Sequence, residues 1–254
     1  MDKYFFSKLN EFIKKFGCGS ISEPAAYQYF LDPEERRTTE IYIKKCGFEI
    51  NYRFFGGYDC AERMLLFILP DYIAEHDLNV KTLMVKGSGF IELKHKDFLG
   101  ALLALGIERY CLGDIIVGNG KSDAVIFVTE KIGAYLLSAE KPLGYINKDK
   151  VDVCEYDLPE DYTYEKKYQD ISGIIASKRL DCVIVVLLKI SREKVKLLIA
   201  GGLIRINYNV CYDNDAPVLP GDIISVKGYG RFTITDMSQK TAKNKIKLMA
   251  LKYI

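Results

Sequence analysis

The chain has no tryptophan, two histidines and seven scattered cysteines, none of them in a C-x-x-C pair. With imidazoles only at His76 and His95, a zinc site would need ligands from distant segments, so neither a structural nor a catalytic metal is expected. The odd, dispersed cysteines read as reduced thiols of a reducing compartment, not as a disulfide framework. No apolar run approaches the ~20 residues that cross a bilayer. The N-terminal Met1-Asp2-Lys3-Tyr4 lacks the apolar stretch of a signal peptide. These absences lead us to expect a soluble cytoplasmic protein with no membrane partner.

What is present is a 254-residue chain, 49% hydrophobic and 28% charged, which is globular composition with room for about two domains. Its net charge of +2 hides a division. From Lys178 onward 14 Lys and Arg stand against 6 Asp and Glu, a net of +8, whereas the preceding residues carry 22 against 28, a net of −6. Basic charge gathered in one module is the footprint of a polyanion partner.

Patterning divides the acidic part again. Residues 4–16 place Phe5, Leu9, Phe12, Ile13 and Phe16 on one helical face. Glu23-Pro24 and Asp32-Pro33-Glu34-Glu35 read as helix starts, the second with an Asp N-cap and a Pro at the first helical position. That helix should end near Cys46, with Gly47 in the left-handed cap. Alternation over 48–54 and the apolar run 64–69 predict two strands. From about residue 80 to 156 the order becomes strand (82–85), helix (97–105), hairpin (114–117 and 124–129, turning at Asn119-Gly120), helix (131–139) and strand (150–154). That is the ferredoxin-like order. The RNA-recognition motif shares this topology, but its aromatic third-strand signature is missing.

The polar, tyrosine-rich stretch 158–169 suggests a connection. The predicted organisation is an α+β multi-domain protein: an α-rich N-terminal module with a small sheet (1–78), a ferredoxin-like, RRM-like domain (79–160), a linker (161–175) and a basic C-terminal module (176–254). In that module Leu180, Val183, Ile184, Leu187 and Leu188 make a helical core face behind Ser177 as N-cap. Ser191 caps a second helix, stopped by Gly201-Gly202. Strands follow at 203–207 and 223–227, with turns at Tyr208-Asn209 and Pro220-Gly221-Asp222, and a last strand after Gly228. Two helix starts would thus gather Lys178, Arg179, Ser191 and Arg192, where exposed N–H groups and the helix dipole favour a phosphate.

Ser177-Lys178-Arg179-Leu180-Asp181, Ser191-Arg192, Leu198-Ile199 with Gly202, Ile206-Asn207 and Gly221-Asp222 resemble the S-four RNA-binding domain, or alpha-L motif. The chain departs from it at Tyr208-Asn209, where that domain's turn usually carries Gly. Leu31–Glu35, Gly56-Gly57-Tyr58 with Ala61-Glu62-Arg63, the run 97–117 and Val226–Phe232 are similar to the bacterial YlmH family. That resemblance implies a non-enzymatic, ribosome-associated factor that binds structured rRNA or tRNA, at the large subunit, in rescue or quality control of stalled translation. The candidate RNA contacts are Lys178, Arg179, Ser191, Arg192, Lys194, Lys196, Arg205, Asn207, Lys227 and Arg231; no catalytic residue and no cofactor is expected.

Other motifs yield to plainer readings. Gly118-Asn119-Gly120-Lys121-Ser122 ends like a P-loop, but Ile115 stands where the loop's first Gly belongs. Arg179-Leu180-Asp181 resembles the catalytic motif of pseudouridine synthases, whose large catalytic domain does not follow here. His95 lies between two lysines, a surface setting, and Cys111 has no imidazole near it in sequence. The alternative reading is an RNA-modifying enzyme with its active site within 1–160; a DNA-binding protein is a third.

Overall fold

In the computed structural model the chain divides into two compact units, Met1–Tyr164 and Glu165–Ile254. The described residues are 3–17, 22–47, 50–70, 78–118, 122–159, 162, 164, 167–242 and 244–253. His76, the Asn119-Gly120 turn and the first residues of the strand expected at 48–54 lie outside them. The protein is mixed α+β, as its patterning predicts.

Unit one opens with α1 (Lys3–Gly17), whose Leu9 and Ile13 are fully buried. Glu23-Pro24 starts no helix; the chain runs extended into β1 (Ala25–Ala26), which pairs with Phe67 and Ile68. That sheet edge satisfies backbone groups that a helix would have satisfied internally. The second helix start is observed. In α2 (Pro33–Cys46) the Asp32 side chain accepts from the N–H of Glu34 (3.0 Å) and Glu35 (2.9 Å), and Glu35 accepts from Asp32 N–H, a capping box. Gly47, at φ +67°, ends the helix. β2 (Tyr52–Phe55) and β3 (Leu65–Ile68) complete a three-stranded sheet in the order β1-β3-β2.

The rest of this unit comprises β4 (Lys81–Lys86), α3 (His95–Ala104), β5 (Leu112–Val117), β6 (Asp123–Val128), α4 (Glu130–Leu136), the short hairpin β7 (Tyr145–Ile146) with β8 (Asp149–Lys150), and β9 (Asp152–Glu155). The sheet order β5-β6-β4-β9, antiparallel throughout, is the ferredoxin-like one.

Both faces of this sheet are covered. Leu83, Val85, Ile115, Ala124, Ile126 and Val128 pack with Phe98, Leu102 and Leu136 of the two helices. The alternate residues Ile116, Val125 and Phe127 pack with Phe30, Tyr58, Leu65, Phe67 and Leu69. Close approach there requires glycine. A Cβ on Gly57 (φ +98°) would lie 2.4 Å from the Phe127 ring, and one on Gly113 2.7 Å from the Phe30 ring. Asp114 ties the same seam, accepting from Tyr58 Oη (2.8 Å) and Glu62 N–H (2.7 Å). The boundary expected at 78 therefore runs through a shared core.

Unit two contains β10 (Tyr168–Ile175), α5 (Leu180–Leu188), α6 (Arg192–Ala200), β11 (Ile204–Ile206), β12 (Asn209–Val210), β13 (Ile223–Val226), β14 (Gly230–Asp236) and β15 (Ile246–Tyr253). The six-stranded sheet runs β10-β15-β14-β13-β11-β12, and one apolar core joins it to both helices. Three expectations are corrected. Residues 168–175 are no linker, because they pair with all eight residues of β15, itself a strand the patterning left out. The tight turn is Asn207-Tyr208, both at positive φ (48° and 69°), one residue earlier than expected. Arg179, not Ser177, occupies the N-cap of α5.

Phe127 is fully buried where the two layers of unit one meet. Phe127→Ala should remove about 3–5 kcal/mol from the urea unfolding of that unit, followed by tyrosine fluorescence, and leave the transition of residues 165–254 in place.

Candidate nucleic-acid interface

The start of α5 is fixed by backbone. The segment 214–218 runs alongside it, so that Leu180 N–H donates to Ala216 O (2.9 Å), Asp181 N–H to Asn214 O (3.1 Å) and Val218 N–H to Lys178 O (2.8 Å). This corrects one expectation outright: the first N–H groups of α5 already have carbonyl partners and offer no cradle to a phosphate. Ser191 does cap α6, its Oγ accepting from Lys194 N–H at 3.3 Å, so this hydroxyl also has a structural use.

The side chains compensate for the lost amides. Asp181 is fully buried in the first turn of α5, and both arginines reach it. Arg179 Nε and Nη2 stand 3.2 and 3.1 Å from its oxygens; Arg192 Nε and Nη2 stand 3.0 and 2.8 Å away. Arg179 also pairs with Asp215, and Arg192 Nη2 donates to Cys182 Sγ at 3.5 Å. Burial pushes the Asp181 carboxyl up, but the guanidinium hydrogen bonds of Arg179 and Arg192 outweigh it and hold the group at about 2. One carboxylate thus orients two guanidiniums from two helices while leaving Nη1 of each uncommitted to it. The side chains remain 39% and 54% exposed, so they can still meet a polyanion.

The other candidates separate. Lys178, Lys194, Lys196 and Lys227 are exposed, and Lys194 Nζ lies 5.9 Å from the Tyr229 ring centre, joining the start of α6 to the turn after Lys227. Arg205, Ser225 and Arg231 form one row across β11, β13 and β14, alternating with the buried Ile204, Ile224 and Phe232. That row faces away from the helices, so Arg205 and Arg231 do not join the pair on Asp181. Arg231 instead lies 5.5 and 5.6 Å from the rings of Tyr208 and Tyr253. Asn207 holds a turn: its Nδ2 donates to Asp222 Oδ1 and its Oδ1 accepts from Ile223 N–H, both at 2.9 Å. Residues 165–254 carry 16 Lys and Arg against 8 Asp and Glu, so the +8 survives the shifted boundary. Sequence reasoning missed Asp215, Tyr229 and the 214–218 segment, because nothing local marks a loop as the partner of a distant helix start.

Among the described residues no group of three or more His, Cys, Asp or Glu could hold a metal ion, and no helix is long and apolar enough to cross a membrane.

The ferredoxin-like sheet and the basic helix-start cluster belong to an α+β chain of two units. Residues 74–160 match the family described as "Putative RNA-binding domain in YlmH". The chain is 29% identical over 221 residues to the Bacillus subtilis (strain 168) "Ribosome-associated protein quality control protein P2", a match covering 85% of this chain and 82% of that one. It is also similar to the solved "Cell division protein ylmH from Streptococcus pneumoniae", with 22% identity and a TM-score of 0.48, over 61% of this chain and 91% of that chain. The chain is thus similar to YlmH-type RNA-binding proteins, over residues 74–160 to the family's domain and over most of its length to the Bacillus subtilis relative.

The geometry around Asp181 makes stability depend on acid. Its carboxyl is lower in the folded chain than its ordinary value of 3.8, so its contribution, about 2 kcal/mol, is complete above about pH 5 and fades as pH falls toward 2. Asp181→Asn should flatten that part of the pH profile of chemical unfolding; an unchanged profile would separate the carboxylate from the arginines.

Proposed function

We propose that this protein is a non-catalytic, cytoplasmic RNA-binding factor of the ribosome, and that its C-terminal unit, an S-four-type domain, grips structured rRNA or tRNA through the surface around Asp181. The observation that carries this reading is the convergence of Arg179 and Arg192 on one buried carboxylate. Pre-oriented guanidiniums lose little freedom on meeting a phosphate, and the fork geometry suits its oxygens. Lys178, Lys194, Lys196 and Lys227 add backbone contacts on a unit that carries the chain's excess positive charge. Contacts of this kind set orientation and shape recognition and leave base identity to other groups. The name of the Bacillus subtilis relative supports a place in ribosome-associated quality control; a large-subunit location is part of the same proposal. Arg205 and Arg231 form a separate surface and are not needed for this grip. Asn207 and Ser191 serve the fold.

If the unit neutralises ~5 phosphates, log affinity should fall with log salt at a slope of about −3.5 to −4.5. Replacing Arg179 and Arg192 by Ala would strand the Asp181 charge, so the variant to measure is Arg179→Ala/Arg192→Ala/Asp181→Asn. Its slope should be shallower by about 1.4–1.8. The exposed set Lys178→Ala/Lys194→Ala/Lys227→Ala, which removes no buried contact, should act in the same direction. Slopes unchanged in both variants would reject the assignment.

A further inference from the structure

The matched domain poses a problem of its own. A ferredoxin-like sheet that binds RNA does so with an open face carrying aromatics, and here that face is filled by Phe30, Tyr58, Phe67 and Leu69. RNA contact by residues 74–160 must therefore come from a loop or an edge, where an exposed large side chain would mark the place.

The connection from β4 to α3 carries such a side chain. Phe90 is 91% exposed, more than any other large hydrophobic side chain among the described residues. Its position is built. The N–H of Gly87 donates to Ser122 O (3.0 Å), that of Gly89 to Ser122 Oγ (2.7 Å) and that of Phe90 to Ser88 Oγ (3.3 Å). Ser88 N–H donates to both oxygens of Asp149 (3.3 and 3.2 Å), a carboxylate only 1% exposed, and the Ser88 hydroxyl bonds it as well. Glycine is required at two of these positions. A Cβ on Gly87 would lie 2.5 Å from Ser122 Cβ and 2.6 Å from Asp149 Oδ2, and Gly89 has φ +80°. Leu93, 1% exposed, anchors the far end in the core.

The same carboxylate links this loop to the β7–β8 hairpin, where Tyr145 is 65% exposed. Asn147 of that hairpin bonds Asp97 in the first turn of α3, so loop, hairpin and helix start adjoin one another. Around them Lys86, Lys94, Lys96, Lys148 and Lys150 are all exposed, and no ion pair among the described residues uses them. Glu92 is the only exposed acid in 86–96 and 145–150. Asp97 lies beside Lys94 and Lys96, and Asp123 and Asp152 stand opposite Lys86. Five lysines thus meet Glu92 and these three acids, a slightly basic patch on a unit whose residues 1–164 carry 20 Lys and Arg against 26 Asp and Glu. A pre-oriented aromatic among exposed lysines fits a stacked base beside its phosphates better than it fits an apolar protein groove.

We propose that Phe90, assisted by Tyr145, stacks on unpaired bases of RNA while the surrounding lysines follow the backbone, giving the chain a second RNA contact separate from the one around Asp181. This rests on the RNA-binding reading above, and its test is designed to fail independently. Full-length protein is titrated with two labelled probes, an RNA stem-loop with an unpaired loop and the same stem closed as a blunt duplex. Phe90→Ala should weaken stem-loop binding about five- to 150-fold and leave duplex binding unchanged. Phe90→Trp should restore it, and Tyr145→Ala should lie between. Because Phe90 is exposed, melting of the variants should match the parent. Gly87→Ala, which drives the loop off Asp149, should reproduce the loss with the ring still present. Equal stem-loop affinity for Phe90→Ala and parent, or an equal loss on both probes, overturns the proposal. Duplex binding unaffected by the Arg179, Arg192 and Asp181 changes instead overturns the preceding section and leaves this one standing.

Discussion

A carboxylate removed from water and left alone is among the costliest things a folded chain can contain, and Asp181 is tolerated because two guanidiniums converge on it. The dependence runs both ways. Asp181 needs the arginines to stay charged, and the arginines need Asp181 to share one site, since Arg179 precedes α5 and Arg192 begins α6. The same constraint explains the run 214–218, whose carbonyls close the N–H groups of α5 and whose Asp215 reaches Arg179 from the other side. Four charged groups sum to zero there. The surface still favours anions through the lysines around it and through the unit's overall balance.

A different constraint governs unit one. Its four-stranded sheet is apolar on both faces, and a sheet of that kind cannot expose either. Covering the second face with β3 and the segments around Phe30 and Tyr58 turns two sequence modules into one body. It also closes the surface that proteins of this topology use for nucleic acid. Any recognition is displaced to the rim, where the backbone is held by hydrogen bonds to buried side chains rather than by a ladder.

Much of this was legible in the residues. The capping box at Asp32, the left-handed Gly47, the strand-helix-hairpin-helix-strand order and the Ser191 cap each rest on local chemistry, and local chemistry is what a sequence displays. The errors share a cause. Tyr168–Ile175 reads as a polar connection because it is an edge strand with one solvated face, and only its pairing with β15 makes it a strand. Ser177 loses the cap of α5 because distant carbonyls, not a side chain, satisfy the helix start. The charge division identified which half carries the basic surface. It could not reveal that Asn207 locks a turn or that Arg205 lies on another face, since both follow from register. Phe90 was invisible for the same reason: an apolar residue in a loop is ordinary until its exposure is known.

The pairing of β10 with β15 has a consequence for how the C-terminal unit comes into being. Tyr168 lies opposite Tyr253, some 85 residues later, and β15 is inserted between β10 and β14 instead of being added at an edge. The helices and middle strands can gather early from near neighbours. The sheet, however, stays split until residues 246–253 have left the synthesising machinery, with the flanks of β10 and β14 open meanwhile. A unit with this topology is therefore completed by a long-range closure, and loss of residues 246–253 would remove an interior strand of the sheet, not an edge.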